Sequence, residues 1–146
     1  MPTTQRERAI GEAAEDCVKA IYSLEHASSQ TAPVGTNDLA RRLNVSAASA
    51  SAMVRKLAGH GLVSHKPYHG AHLTEAGTQV ALAVMRRHRL LELYLTEKLG
   101  LSWDRARNEA DVLEHVVSSE LEECIAIRLG NPRLDPPGAI PLSPLS

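Results

Sequence analysis

The sequence predicts a mainly α fold in which a winged helix-turn-helix precedes a second helical unit, and three observations carry that reading. Apolar residues recur at three- and four-residue spacing through most of the chain, as helices with one buried face require. Two short runs, 62–66 and 71–73, break that rhythm around the turn Pro67-Tyr-His-Gly70 and read as a hairpin. Aromatic residues make up 3% of the chain and Phe is absent, so the core must be mainly Leu, Val, Ile and Ala, which suits packed helices.

Each element follows from local chemistry. Ala13, Cys17, Ala20, Ile21 and Leu24 share one helical face, predicting a first amphipathic helix over 11–27. The polar loop 28–35 ends it. Thr36-Asn37-Asp38 then offers side-chain oxygens to the free amides of a short helix, 39–43. Asn44-Val45 makes a turn, Ser46 caps the next helix, 47–58, and Gly59-His60-Gly61 stops it. Leu39, Leu43, Val45, Ala50, Val54 and Leu57 form the expected buried side of this pair. After the hairpin, a long helix is expected from near Thr74 to about Leu99, with Gly100 ending it. Two more follow, over 103–117 and from Ser118 to Gly130. The tail 131–146 is too rich in proline for a helix or a central strand and reads as a linker. The expected domains are therefore 1–73, 74–130 and the tail 131–146.

At 146 residues the chain has room for one domain or two small units, not for a large enzyme. No apolar run approaches a membrane span and the N-terminus has no signal-peptide core, so a cytoplasmic location is expected. Cys17 and Cys124 are too few and too separated for a disulfide framework or a structural zinc cluster, and both read as reduced structural residues.

The net charge is only −1, but its distribution is uneven. Between Thr36 and Arg89 the basic residues Arg41, Arg42, Arg55, Lys56, Lys66, Arg86, Arg87 and Arg89 meet only Asp38 and Glu75; from Leu90 to Cys124 acidic residues prevail. A polyanion-facing part followed by a cation-attracting part is the implication. In a winged helix-turn-helix the second helix of the pair enters the major groove. Its small residues Ser46, Ala48, Ser49 and Ser51 suit base edges or thymine methyls, and Arg55 and Lys56 suit phosphate. Thr36 at the head of the first helix, with Lys66 and Tyr68 on the hairpin wing, completes the candidate DNA-contacting set. The competing reading is a helical domain whose Arg and Lys solvate a face.

In the acidic part, Glu109-Ala-Asp-Val-Leu-Glu-His115 places Asp111, Glu114 and His115 on one helical patch. His88 and Glu92, four apart on the long helix, form a second. Two carboxylate-imidazole patches on consecutive antiparallel helices point to a metal site; either alone is equally a surface or core pair. Leu91, Leu95, Leu101, Trp103, Leu113 and Leu121 exceed the needs of one small core, which favours a two-fold interface, or else they fill the monomer.

Taken together, Ala14-Glu-Asp-Cys-Val-Lys-Ala-Ile-Tyr-Ser-Leu24, Leu39-Ala-Arg-Arg-Leu-Asn-Val-Ser46, Leu73-Thr-Glu-Ala-Gly77, Arg86-Arg-His-Arg-Leu-Leu-Glu92 and Glu114-His115-Val-Val-Ser118 resemble the metal-dependent repressors of the diphtheria toxin repressor and manganese transport regulator type. The resemblance implies a homodimeric repressor that binds a palindromic operator on double-stranded DNA when loaded with a divalent metal. By position it implies a primary site of Asp16, His88, Asp111, Glu114 and His115, with His88 and Glu92 available to an ancillary site. Asp16 and Asp111 stand where iron-type members carry methionine and cysteine, so a hard oxygen and nitrogen set favours Mn²⁺, with Fe²⁺ second and Co²⁺ or Zn²⁺ as substitutes in vitro. Two positions depart from the pattern: Lys19 replaces a bridging glutamate of two-metal members, and Arg107 an ancillary histidine. Longer members continue past such a linker into a small β-barrel. Two other classes compete with this reading: a winged-helix regulator answering an organic ligand, and a small metallohydrolase, for which the sequence offers no separate general base or substrate-binding loop.

Overall fold

The computed structural model describes residues 11–27, 33–66 and 69–132. Among them are six helices and one two-stranded sheet: α1 (Glu12–His26), α2 (Thr36–Leu43), α3 (Ala47–Gly59), β1 (Val63–Lys66), β2 (Gly70–Leu73), α4 (Glu75–Glu97), α5 (Trp103–Leu113) and α6 (Ser119–Arg128). The mainly α fold class and the order of elements agree with the sequence. Tyr68 and the tail beyond Pro132 lie outside the described residues. The chain divides into two compact units, one of residues 9–82 and one from residue 83 on, and α4 runs unbroken from the first into the second.

In the first unit α1 packs on α2, α3 and β2, and α3 on β1. Cys17, Ile21, Leu39, Ala50, Val54 and Leu57 are buried at its centre, on the helical faces that the apolar spacing marks; Val18 is buried with them, whereas Ala13, in the first turn of α1, is exposed. β1 and β2 pair antiparallel with Val63 opposite Leu73, and Val34 adds a bridge to Ala71 through two 2.9 Å hydrogen bonds. That bridge fixes where α2 begins. The chain turns directly from it into the helix, so Gly35 is the N-cap and makes no side-chain bond, while Thr36, Asn37 and Asp38 form the first turn instead of capping it. Ser46 does cap α3, its hydroxyl accepting the Ser49 amide at 3.1 Å. Val45 differs from expectation: Asn44 adopts a left-handed conformation (φ 57°), and the turn it makes leaves Val45 exposed at the surface.

In the second unit Leu90, Leu91, Ala110, Val117, Ile125 and Ala126 form the core, with Tyr94, Leu113 and Leu129 packed at its edge. α5 stops at Leu113, short of the expected Val117. The fully buried Arg87 donates from Nε to the Glu114 carbonyl at 3.0 Å, taking an acceptor that a longer helix would use. Beyond it the amides of His115 and Val116 bond three residues back, to Val112 and Leu113, a tightened last turn. Ser118 then caps α6 through the Leu121 amide. No described helix is long and apolar enough to cross a membrane.

Candidate metal centre and nucleic-acid interface

His88 is the hub of the second unit's polar cluster. Its Nδ1 lies 2.8 Å from Glu114 Oε2 and 3.5 Å from Asp111 Oδ1, and its Nε2 lies 3.2 Å from Glu92 Oε1. His115 Nε2 is 3.4 Å from Glu114 Oε1, so all five of these predicted residues meet in one place. The sequence expectation is altered in one respect: Glu114 and His115 lie past the end of α5, and the Arg87-held turn, not a regular helical face, presents them.

The electrostatics follow from packing. Burial acts to lower the His88 pKa, but hydrogen bonds to Glu114 and Glu92 and the charges of both outweigh it, pushing it up to about 9. Burial would raise the pKa of Glu92, yet the His88 hydrogen bond and charge, the Trp103 hydrogen bond and the Arg89 charge hold it below the usual carboxylate range. Glu114 is 1% exposed. A buried carboxylate, two further carboxylates and two imidazoles without sulfur are hard donors that fit a divalent cation. Asp16, the remaining predicted ligand, sits half-buried on α1 in the first unit. Its neighbour Cys17 is fully buried; burial and the Asp16 charge push its thiol up to about 11, so it stays protonated at neutral pH.

On the first unit, Ser46, Ala48, Ser49, Arg55, Lys56 and Lys66 are exposed, and Thr36 and Ser51 partly so. Ser46 is engaged locally, since its hydroxyl both caps α3 and donates to Ser49 Oγ at 3.0 Å. An open groove brings Thr36, Ser51 and Arg55 together with Asn37, Arg41 and His65. The sequence gives the last three no place in a groove: Asn37 reads there as a capping residue and Arg41 as charge, and nothing in the string links β1 to α2. Arg41 pairs with Asp38 on its own helix, leaving it held at the groove's edge.

The second unit also carries an apolar groove lined by Leu91, Tyr94, Leu113, Val116, Leu121 and Ile125. Val116 and Leu121 remain 64% and 51% exposed there. Leu91 and Leu95 are buried in the unit's own core, whereas Trp103 and Leu121 are exposed, so the surplus apolar residues expected from sequence divide between core and surface.

Comparison with known proteins converges on one family. Residues 9–71 match the iron-dependent repressor N-terminal DNA-binding domain, and residues 74–141 the iron-dependent repressor metal binding and dimerisation domain. An HTH-type transcriptional regulator of Methanocaldococcus jannaschii is 33% identical over 81% of this chain and 93% of its own length. The iron-dependent repressor IdeR of Mycobacterium tuberculosis is 35% identical over 83% of this chain and 51% of its own. A manganese-dependent transcriptional repressor solved with manganese superposes with a TM-score of 0.74 at 45% identity, over 84% of this chain and 55% of that one. The chain thus spans nearly all of the first relative and about half of the other two. With both domains matched in order and a relative aligned almost end to end, the chain belongs to the iron-dependent repressor family, which includes the diphtheria toxin repressor.

Proposed function

We propose that this chain is a Mn²⁺-activated transcriptional repressor of metal-uptake genes, acting in the cytoplasm as a homodimer on a palindromic operator. The observation that carries the reading is the cluster around His88, where Glu114 and Asp111 meet one imidazole nitrogen and the contacts among the described residues are between carboxylates and imidazoles. Asp16 completes the ligand set on the strength of the sequence resemblance. A bound divalent cation would supply the positive charge that lets these carboxylates share one site. Asp16 lies on the helix that packs against both α2 and α3, so drawing its carboxylate into the set biases the part of the chain that reads DNA. Ser49, Ser51 and the Ala48 methyl face base edges in this reading, and Arg55, Lys56 and Lys66 the phosphates.

The test is binding to a promoter fragment from a metal-transport gene, titrated with Mn²⁺, Fe²⁺ and Zn²⁺ against a chelator at fixed salt. Tightening by Mn²⁺ supports the reading, and preference for Fe²⁺ moves the chain to the iron-responsive branch. Indifference to all three metals removes the metal-gated reading in favour of an organic-ligand regulator.

A metal-ligating imidazole must be neutral, and His88 is held protonated up to about pH 9. Metal loading therefore releases its proton, and apparent Mn²⁺ affinity rises, by roughly tenfold per pH unit at most, until it levels near the His88 pKa. Calorimetric titration between about pH 6.5 and 8.5, in buffers of different ionisation enthalpy, measures this; an affinity flat in pH with no proton release contradicts it. In the metal-free chain the sign is opposite: the raised pKa stabilises the fold at neutral pH and below, and that contribution is lost as pH rises through about 9. For the dimer, Leu121→Glu places a charge in the apolar groove and should weaken association by at least about 30-fold, as loss of an interface anchor does. Light scattering would then report the 15.8 kDa monomer, and an unchanged dimer mass would place the interface elsewhere.

A further inference from the structure

Glu92 is nearly buried, and both its oxygens are already engaged by groups of its own unit. Oε1 lies 3.2 Å from His88 Nε2, one turn earlier on α4, with Arg89 Nη1 at 3.9 Å. Oε2 accepts the indole N–H of Trp103, the first residue of α5, at 2.9 Å. The Arg107 guanidinium stands 5.9 Å from the Trp103 ring centroid, the distance of a cation–π contact. His88 is thereby held from both sides, Nε2 toward Glu92 and Nδ1 toward Glu114 and Asp111.

A cation at Glu92 would meet two obstacles. It would displace the indole N–H, which is a donor only and would lose its partner, and it would sit beside the positive charge of Arg89. On the Nδ1 side stand two carboxylates, Glu114 and Asp111, with His115 close to Glu114. Metal-bound imidazoles commonly donate their second N–H to a carboxylate, which fixes tautomer and ring orientation. We propose that Glu92, pinned by Trp103, is a positioning residue that presents His88 Nδ1 to the cation and is not itself a ligand. The proposal rests on the reading of His88 as a ligand. It also gives Trp103 a role in the site that its place at the start of α5 does not suggest.

The experiment uses the full chain with Glu92→Ala, Glu92→Gln, Trp103→Phe and His88→Ala, measuring Mn²⁺ per chain by equilibrium dialysis and affinity by competition with a chelating dye. Folding is checked by circular dichroism; if Glu92→Ala does not fold, Glu92→Gln and Trp103→Phe carry the test. Trp103 is the single tryptophan, so its emission reports this spot during the titration of every variant that retains it. A positioning role predicts that either Glu92 variant binds the same number of Mn²⁺ ions as the unaltered chain, with affinity up to roughly 10–100-fold weaker. Trp103→Phe, which removes only the N–H anchor in a ring of similar shape, should also weaken binding, by several-fold. A ligand role predicts the reverse for that variant, since freeing the carboxylate leaves affinity equal or tighter. Loss of a bound Mn²⁺ in the Glu92 variants, or unweakened binding by Trp103→Phe, overturns the proposal. Full affinity in His88→Ala overturns it too, but by removing the metal-site reading beneath it, and is thereby told apart from a failure of the Glu92 assignment alone.

Discussion

Glu114→Gln should abolish the response of DNA binding to Mn²⁺ while leaving the fold intact. Glu114 is 1% exposed, lies 2.8 Å from His88 Nδ1 and 3.4 Å from His115 Nε2, and stands at the turn closing α5. The amide keeps the shape of the carboxylate and one acceptor oxygen, but not the charge that would help His88 and His115 hold a hard cation. A ligand coupled to DNA binding typically contributes about 1–3 kcal/mol, or roughly 5–150-fold in affinity. In the variant that enhancement should fall to within about twofold of the metal-free value. Electrophoretic mobility or fluorescence anisotropy with a promoter fragment, with and without Mn²⁺, reads it directly. Thermal unfolding of the metal-free chain supplies the control, and the His88 clamp, losing one of its two hydrogen-bonded carboxylates, should make that form less sensitive to alkaline pH. A variant that keeps the full Mn²⁺ response would remove Glu114 from the ligand set.

The second large effect is steric and has the opposite sign from helix propensity. Gly77 lies in the first turns of α4, where replacing glycine by alanine ordinarily gains about 0.5–1 kcal/mol. Here an added Cβ would fall 2.0 Å from the Leu62 carbonyl oxygen and 3.1 Å from Leu73 Cδ2. That oxygen is backbone and already accepts the Thr74 amide at 3.0 Å, while Thr74 Oγ1 donates to the Gly61 carbonyl at 2.7 Å and accepts the Gly77 amide at 3.1 Å. Nothing at this junction can give way without breaking a hydrogen bond that fixes the hairpin to α4. Gly77→Ala should therefore destabilise the chain by roughly 2–4 kcal/mol, against the 1–3 typical of overpacking. Gly59→Ala is the matched control: it sits at the end of α3 with nothing within 4 Å of the added carbon, so it should be neutral or slightly stabilising. Urea midpoints at unchanged slope would show the pair moving apart. A Gly77→Ala chain as stable as its parent would mean that the β2 to α4 junction is looser than described.

Much of the fold was legible because its signals are local. Apolar spacing marks most of the helices, glycines mark the ends of α3, α4 and α6, and Ser46 and Ser118 cap the helices that the sequence has them precede or begin. The hairpin declared itself by breaking the helical rhythm. The boundaries that moved did so under contacts from distant residues. α2 starts early because Val34 is bonded to Ala71, and α5 ends early because Arg87, from another helix, takes the Glu114 carbonyl.

The candidate site divides in the same way. Spacing within one helix put His88 beside Glu92 and Asp111 near Glu114, since a helix fixes its own neighbours at three and four residues. The sequence by itself therefore determined the family, the order of elements and the hard-donor composition of the cluster. Only the tertiary structure decided that Glu114 is the buried carboxylate on His88 Nδ1, that Glu92 takes the other nitrogen, and that Trp103 holds Glu92 in place. Two of those contacts join segments brought together by packing, 26 residues apart for His88 and Glu114 and 11 for Glu92 and Trp103; the third lies within α4, where periodicity brings Glu92 to His88 but does not encode which nitrogen faces which oxygen.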